Sequence, residues 1–442
     1  DGDQEGHVIA NDMAAMVADV APAAQIFRMV PSGLDPLSVG HAFNGAGLLD
    51  EQLAVPGQAR RIADRCFAAA HADHDAGRVV GRVQLGLLAL CEQGRVCRRV
   101  ATAPIAAVDG GVPFTATAEL PPSVSVDQAK AWFEGAAPIA PGQLEDWCRP
   151  PMDGADALLA MEGELGISID DAARLLQEMY EAGRISYPRT SAHGYTGMGV
   201  EDAERLARIR GIMSFQAYRV ARIESEAHES LRITGDDLPD LMRPPRLAPR
   251  LVDGALTVIA RRMVESGVPM VRQTGVLAEG AAPPFDVHLE RKVGGARVAW
   301  AMGAPEDVRI RERSPEAALV AAMVKAGVGR PSTVARHAVR FMASGWVDDQ
   351  LTLTDAGHEA LEAFPPEIRE AAASPAFESA IAASGGVIDR VDAAMAALKS
   401  EDGVAQGMDA LSELAFDEHE AAEAADLPEF EDEEDAPAYR LV

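Results

Sequence analysis

Three acidic side chains stand at alternate positions at the start of the chain. They are Asp1, Asp3 and Glu5, in the sequence Asp-Gly-Asp-Gln-Glu-Gly. Alternate residues of an extended segment face the same side, so the three carboxylates can converge on one hard cation. Mg²⁺ is the natural candidate because it prefers oxygen ligands. The alternative is a solvated acidic terminus that binds no metal.

A tyrosine and an arginine two positions apart lie in a second motif, residues 181–190. We expect Gly183 to end a helix and Pro188 to hold Tyr187 in an extended conformation, with Arg189 on the same side. A phenol is a poor nucleophile near neutral pH because its pKa is about 10. A neighbouring guanidinium favours the phenolate and binds the charge that builds on an attacked phosphate. The pair is a candidate for phosphoryl chemistry, and a structural loop tyrosine is the alternative.

Two further motifs suit phosphate binding. His228 and Arg232 are four residues apart, which places both on one face of a helix, although a surface histidine is the plainer interpretation. In residues 329–342, Ser332 or Thr333 can cap a helix beside Arg330, and a capped helix start binds anions. The apolar stripe predicted for that helix, with Arg336 and Arg340 outside it, consists of Ala335, Ala338, Val339 and Met342. A hairpin over 346–354 then completes a winged-helix-like module, which supports a purely DNA-binding alternative.

The surrounding pattern predicts the elements that position these motifs. Residues 1–30 should form a short acidic motif that runs into an amphipathic helix, with Ile9, Met13, Met16 and Val20 on the apolar face of that helix. Helical segments are predicted over 58–97, 169–180 and about 313–400, and strands over 100–120 and 270–302. Because the two strand-rich segments are separated by helices, we expect one β domain that the chain visits twice.

Composition limits the classes of protein that remain. The 442 residues carry a net charge of −29, with 40 basic and 69 acidic side chains. Residues 401–442 hold 15 of the acidic residues and one arginine, so we expect a disordered acidic tail of charge −14 that a protein partner could bind. There is no CxxC pair and no apolar run of 18 residues, which argues against a zinc ribbon and a membrane span. A cytoplasmic protein is expected.

Five motifs, taken in chain order, resemble those of type IA DNA topoisomerases. They are Asp-x-Asp-x-Glu-Gly, Gly-Arg-Val-Gln, Gly-x-Ile-Ser-Tyr-x-Arg-Thr, Ala-His-Glu-Ser-x-Arg and Gly-Arg-Pro-Ser-Thr, at residues 1–6, 81–84, 183–190, 227–232 and 329–333. The resemblance extends from Asp1 to about residue 400. It implies a Mg²⁺-dependent, ATP-independent enzyme that cleaves single-stranded or negatively supercoiled DNA, passes a strand and reseals the break. It also implies a monomer associated with the nucleoid.

The resemblance assigns roles residue by residue. Asp1, Asp3 and Glu5 would bind Mg²⁺, Tyr187 would be the nucleophile that forms a 5′-phosphotyrosine, and Arg189 would stabilise the transition state. His228, assigned with the catalytic residues, and Arg232 would contact the DNA near the scissile phosphate. The positions expected to grip the DNA backbone are Arg60, Arg61, Arg65, Arg82, Gln84, Arg330, Ser332 and Thr333.

The implied fold is a multi-domain toroid of α/β and α domains. Residues 1–37 would be the C-terminal part of a Toprim domain, and 401–442 the tail. The two parts of the helical base would be 38–98 and 313–400, the second winged-helix-like, and the two parts of the β-rich arch 99–148 and 267–312. The helical domain that carries Tyr187 would be 149–266.

Some positions depart from the family pattern. Gln4 stands where arginine is usual, Ser191 where an acidic residue often follows, and Ile233 where proline often occurs. The family's glutamate general acid and a nearby lysine would lie before Asp1, so we expect an incomplete chain that binds single-stranded DNA but relaxes plasmid poorly. The alternatives are a non-enzymatic or impaired DNA-binding paralogue, and a piece of a larger fusion such as a reverse gyrase.

Overall fold

The computed structural model describes residues 4–71, 80–223, 229–235, 238–301, 303, 305–330 and 332–400. Fifteen α-helices lie in these ranges: α1 Gln4–Val20, α2 Pro36–Asn44, α3 Val55–Ala70, α4 Arg82–Glu92, α5 Val126–Gly135, α6 Gly154–Leu165, α7 Ile169–Glu181, α8 Gly197–Ile209, α9 Leu251–Glu265, α10 Pro315–Ala326, α11 Val334–Ala343, α12 Asp355–Glu362, α13 Pro366–Ala372, α14 Ala376–Ala382 and α15 Val387–Ala397. The strands are β1 Phe27–Arg28, β2 Gly47–Leu48, β3 Arg99–Ile105, β4 Phe114–Leu120, β5 Ala140–Trp147, β6 Met270–Val276, β7 Val287–Gly295 and β8 Arg309–Glu312. None of the described helices combines the length and apolar character that a membrane crossing requires.

One antiparallel sheet joins strands from two distant parts of the chain. Its strand order is β5-β6-β7-β4-β3-β8, so β4 from the first segment pairs with β7 from the second. Burial alternates along β4, with Phe114, Ala116, Ala118 and Leu120 inside, as a half-buried strand requires. These side chains belong to a core of their own around the sheet, and a second, larger core joins the helices. The boundaries expected for individual domains stay predictions.

The helical core places the functional motifs on neighbouring elements. Helix α7 packs against α6 and α11, and α11 packs against α10 and α4. On the other side of α4, α3 packs against α15 and α14. The motifs at 81–84, 183–190 and 329–333 therefore lie at the ends of helices that contact one another.

Helix α1 exists, but the predicted apolar face is wrong. Its buried residues are Gly6 and Val8, whereas Met13 and Met16 are 61% and 70% exposed. Gly57 of α3 explains the orientation, because a Cβ there would lie 2.5 Å from Val8 Cγ2. The two helices approach closely at this glycine, and that contact sets which face of α1 is covered. Glu5 also lies in the first turn of α1, so the extended segment predicted to align it with Asp1 and Asp3 does not include it.

Candidate functional site

The segment that carries Tyr187 begins where α7 ends. Ser168 caps the start of α7 by accepting a hydrogen bond from Asp171 N at 3.0 Å. At the other end Gly183 has a φ of +65°, its N–H donates to Tyr180 O, and Arg184 N donates to Met179 O at 2.9 Å. These paired bonds are a Schellman motif, which favours glycine at the left-handed position. The predicted helix end at Gly183 is confirmed.

Tyr187 directly follows Ile185 and Ser186, which pair with two other segments of the chain. Ser186 N donates to Arg232 O and Tyr187 N donates to Ser32 O, both at 2.9 Å. The ring of Tyr187 is 4% exposed and meets Tyr180 edge to face, with 5.3 Å between ring centroids. Backbone hydrogen bonds at Ser186 and Tyr187 therefore hold this segment from both sides.

Tyr187 and Arg189 line the same cleft, which we call the nucleophile cleft. Its volume is about 550 Å³, and the polar side chains around it are Glu5, Asp170, Tyr187, Arg189, Ser332, Thr333, Arg336 and Arg340. Arg189 is exposed and donates to Gln177 Oε1 at 3.2 Å. The structure thus brings together the tyrosine motif, the start of α11 and Glu5, which are far apart in the sequence.

A second cleft, the arginine cleft, adjoins the first. Its volume is also about 550 Å³, and it shares Glu5, Thr333, Arg336 and Arg340 with the nucleophile cleft. Its remaining charged, polar and aromatic lining consists of Arg60, Arg61, Asp64, Arg82, Gln84, Arg330, His337, Ser344 and Trp346. Of the predicted backbone-gripping residues, Arg65 is exposed on α3 but lines neither cleft.

The arginines of these clefts fall into two groups. Arg60 and Arg82 are buried and share Glu378, and Arg82 Nε also donates to Asp64 Oδ1 at 2.8 Å. The guanidinium of Arg82 lies 3.7 Å from the ring centroid of Phe377. Both side chains hold α3, α4 and α14 together. In this structure they do not present free charge to a ligand, and their predicted contacts with DNA stay predictions.

Arg336 and Arg340 form the other group. Both are exposed on the cleft side of α11, and within the described ranges neither has an ion pair or a side-chain hydrogen bond. They stand four residues apart, so they rise about 6 Å along the helix. The sequence analysis predicts both outside the buried stripe of the helix but does not include them among the functional residues. Their exposure is confirmed, and the stripe itself differs, with Val334, Ala338 and Phe341 buried.

The side chains of Gln84, Ser332 and Thr333 also face the clefts. Gln84 Oε1 is buried and has no hydrogen-bond partner among the described residues. Thr333 precedes α11, but its hydroxyl donates to Arg330 O at 3.3 Å and does not cap the helix. The predicted hydroxyl cap at Thr333 is therefore wrong, although Thr333 and Tyr187 line the same cleft.

Arg232 is buried at the junction of three segments. It is 1% exposed, and its guanidinium donates to Glu229 Oε1 and Asp202 Oδ2, each at 2.5 Å. Burial lowers the pKa of Arg232, but the two carboxylates outweigh that effect and hold it above its ordinary value. Residues 229–235 are not helical, so the predicted helical face is wrong for Arg232, whose backbone instead pairs with the tyrosine segment. His228 lies outside the described residues.

Glu5 is the described member of the acidic motif, and its surroundings test the expected Mg²⁺ site. Its Oε1 accepts from Arg61 at 3.2 Å and its Oε2 from Arg330 at 3.0 Å. Carboxylate oxygen suits Mg²⁺, but both of these oxygens are engaged by guanidinium groups. In the part of the chain that is described, no cluster of three or more His, Cys, Asp or Glu side chains could hold a metal. Asp1 and Asp3 lie outside that part, and Glu5 alone does not make the site.

Comparison with solved structures identifies the architecture around these clefts. The structure of full-length topoisomerase I from Thermotoga maritima, in a monoclinic crystal form, matches with a TM-score of 0.55 and 17% sequence identity. The match covers 93% of this chain and 76% of that chain. The fold is similar to that of a topoisomerase I. No protein-family model matches the sequence, and no curated protein matches it. The likeness shows the fold, and the chemistry has to be argued from the clefts.

Arg336, Arg340 and Trp346 line the clefts but are absent from the predicted site. Arg336 and Arg340 are signalled by their spacing on the exposed face of the helix that follows Arg330. Trp346 could have been found in the sequence because it is an aromatic residue that directly follows an arginine-bearing helix, a combination typical of single-strand binding.

Proposed function

We propose that this chain is a type IA DNA topoisomerase that acts on single-stranded or negatively supercoiled DNA. The observation that carries the proposal is the shared cleft, in which Tyr187, Arg189 and the exposed Arg336 and Arg340 face one space. A binding protein needs the arginines but has no use for a tyrosine fixed from both sides. The similarity of the fold to a topoisomerase I supports the same reading.

The proposed reaction is a transesterification at Tyr187. The phenolic oxygen bonds to the phosphorus of a phosphodiester while the bond from phosphorus to the 3′ oxygen breaks. The proton leaves the phenol, and the freed 3′ oxygen takes up a proton as it departs. The product is a 5′-phosphotyrosine and a free 3′-hydroxyl, which reverses the reaction after strand passage. One phosphoester replaces another, so nucleotide hydrolysis is not required.

The arginines of the nucleophile cleft would act on charge. Arg189 is two residues from Tyr187, and its fixed positive charge would stabilise the phenolate and the negative charge on the attacked phosphate. Arg336 and Arg340 would hold the phosphates on either side of the scissile bond, since arginine binds phosphate in a bidentate fashion. Arg232 would act as a positioning residue, because it is buried and its backbone holds the tyrosine segment.

The proposed site also includes a Mg²⁺ ion and His228. Asp1, Asp3 and Glu5 would hold Mg²⁺, which would supply positive charge beside the phosphate. His228 would contact the DNA close to Tyr187. The protein would act as a monomer in the cytoplasm, on the DNA of the nucleoid.

Replacing Tyr187 by phenylalanine tests the proposal. The substitution removes one oxygen from a buried ring and leaves its contact with Tyr180, so the loss of folding stability should stay below about 1.5 kcal/mol and single-strand binding should persist. The covalent protein–DNA adduct, seen on a denaturing gel after incubation with a labelled single strand, should disappear. Tyr218→Phe is the matched control, because Tyr218 is 76% exposed and lines neither cleft. An adduct that persists in Tyr187→Phe would show that the nucleophile is another residue.

A DNA-binding protein without catalysis is the second candidate. Helix α11 is followed by a turn across which Val347 pairs with Leu353, and this pairing supports the winged-helix-like arrangement that the candidate requires. The arginine cleft ends at this turn. If single-stranded DNA binds but the native chain forms no adduct under any divalent-metal condition, this candidate replaces the enzyme.

A further inference from the structure

Four tryptophans occur in the chain, and they differ in what surrounds their rings. Trp132 packs on Phe133 and Phe285, Trp147 lies under the guanidinium of Arg272, and Trp300 donates its indole N–H to Glu265. Trp346 is half-buried and lines the arginine cleft.

The backbone of Trp346 is rigidly held. Gly345, with a φ of +72°, turns the chain after α11, and Trp346 O accepts a hydrogen bond from Thr354 N at 2.9 Å. The start of α12 packs directly on this carbonyl, because a Cβ on Gly357 would lie 2.0 Å from Trp346 O. The ring is supported from within by Phe341, whose centroid lies 6.1 Å away at an angle of 67°. The backbone of Trp346 is thus held in place, and its ring rests against Phe341.

Trp346 follows the row of exposed arginines on α11. Thr333, Arg336, Arg340 and Ser344 follow one face of α11 and all line the arginine cleft. Helix α11 has 10 residues and is therefore about 15 Å long. At about 3.4 Å per stacked nucleotide, that length corresponds to roughly four nucleotides along the row from Thr333 to Trp346.

We propose that Trp346 is a stacking platform for a nucleobase of the bound strand, a few nucleotides from the phosphate that faces Tyr187. Arginine side chains that follow the backbone and an aromatic ring that takes a base are the two components of single-strand binding. The arginines hold phosphates without regard to sequence, whereas Trp346 makes the site require a base at one position. The inference rests on the proposed function, since it places the same strand in the same clefts.

A two-by-two comparison isolates the stacking contribution. The affinities of the native chain and of Trp346→Ala are measured for a 12-nucleotide thymidine strand and for a 12-nucleotide abasic strand with the same phosphates. The native chain should prefer the thymidine strand by an additional factor of about 5 to 150, the range for one stacked base, and Trp346→Ala should lose that additional preference. Trp346→Phe, which keeps an aromatic face, should retain part of it.

Salt dependence separates stacking from charge. Trp346→Ala should weaken binding by the same factor at every salt concentration. Arg340→Gln, the matched control on the same row, should instead reduce the slope of log affinity against log salt by about 0.7. Should Trp346→Ala fail to fold, indole fluorescence gives an independent test. The thymidine strand should quench the native chain and Trp147→Phe, but the quenching should be lost in Trp346→Phe.

The outcomes distinguish this inference from the proposed function. Equal base preference in the native chain and Trp346→Ala, with no quenching of Trp346, overturns the stacking platform even when Tyr187 still forms its adduct. If the native chain binds no single strand and forms no adduct, the proposed function fails and the stacking platform fails with it.

Discussion

Arg82 and Arg340 line the same cleft, yet their substitutions should affect different properties of the protein. Arg82 is 5% exposed, pairs with Asp64 and Glu378, and stacks on Phe377. Arg340 is exposed and, within the described ranges, unpaired. Arg82→Met should therefore lower the free energy of unfolding, while Arg340→Gln should lower DNA affinity at unchanged stability.

The magnitudes follow from burial and charge. Removing one partner of a buried ion pair costs about 3–5 kcal/mol because the other charge is left uncompensated. Glu378 keeps Arg60 and Asp64 is partly exposed, so the lower end, about 3 kcal/mol, applies to Arg82→Met. For Arg340→Gln, the loss of one phosphate contact removes about 0.7 from the salt slope. A fourfold rise in salt should then cost the native chain about 2.6-fold more affinity than it costs the variant.

Urea unfolding measures the free energy of unfolding of Arg82→Met. Fluorescence anisotropy with a labelled single strand measures the salt dependence of affinity for Arg340→Gln, at salt concentrations of roughly 50 and 200 mM. The opposite result for Arg82 would be a variant Arg82→Met that unfolds at the same urea concentration as the native chain but whose DNA affinity depends less steeply on salt. That result would refute the structural role. In that case Arg82 would be a phosphate ligand, as the sequence resemblance implies, and its ion pairs would be incidental.

Three further predictions concern the tail, a glycine and a histidine. Deleting residues 401–442 removes a charge of −14 and should tighten single-strand binding. The effect should be clearest below about 0.1 M salt, where screening is weak. An affinity that the deletion leaves unchanged across a salt titration would mean that the tail has no electrostatic role. Gly183→Ala should lower stability by about 1–2 kcal/mol in urea unfolding, because φ is +65° and the new Cβ would lie 3.2 Å from Asp35 N, whereas Gly197→Ala, with open space around it, should be close to neutral. Burial, together with the charge of Arg336, lowers the pKa of His337 to about 4. As pH falls from about 6.5 to 4, the histidine therefore binds a proton in the unfolded chain but not in the folded chain. Stability should be lost over that window, and His337→Gln should flatten the pH profile of the melting temperature; an identical profile in both would place the acid sensitivity elsewhere.

Local sequence rules predicted the tyrosine segment well. The period of α7, the glycine that ends it and the proline after Tyr187 act within a few residues, so each can be read from neighbouring side chains. The joining of two distant β segments in one sheet was also expected, and strands from both segments pair. The hairpin after α11 was likewise apparent from its alternation.

Long-range contacts decided what the sequence could not predict. The state of Arg60 depends on Glu378, which lies 318 residues away, so the local sequence could not show whether this arginine is paired or free. The face of α1 depends on the close approach to Gly57. Arg232 is buried by carboxylates from α8 and from its own segment, an arrangement that the spacing from His228 does not reveal.

The pairing of the tyrosine segment has a consequence for hydrogen exchange. The amide of Ser186 bonds to Arg232 O, whereas the next amide, that of Tyr187, bonds to Ser32 O in the N-terminal part of the chain. Adjacent amides in the sequence therefore report on different contacts. Separation of the N-terminal part from the tyrosine segment should expose the Tyr187 amide to deuterium while Ser186 stays protected, and loss of the Arg232 segment should do the reverse. Comparing the exchange rates of these two amides therefore shows which of the two contacts beside Tyr187 opens first.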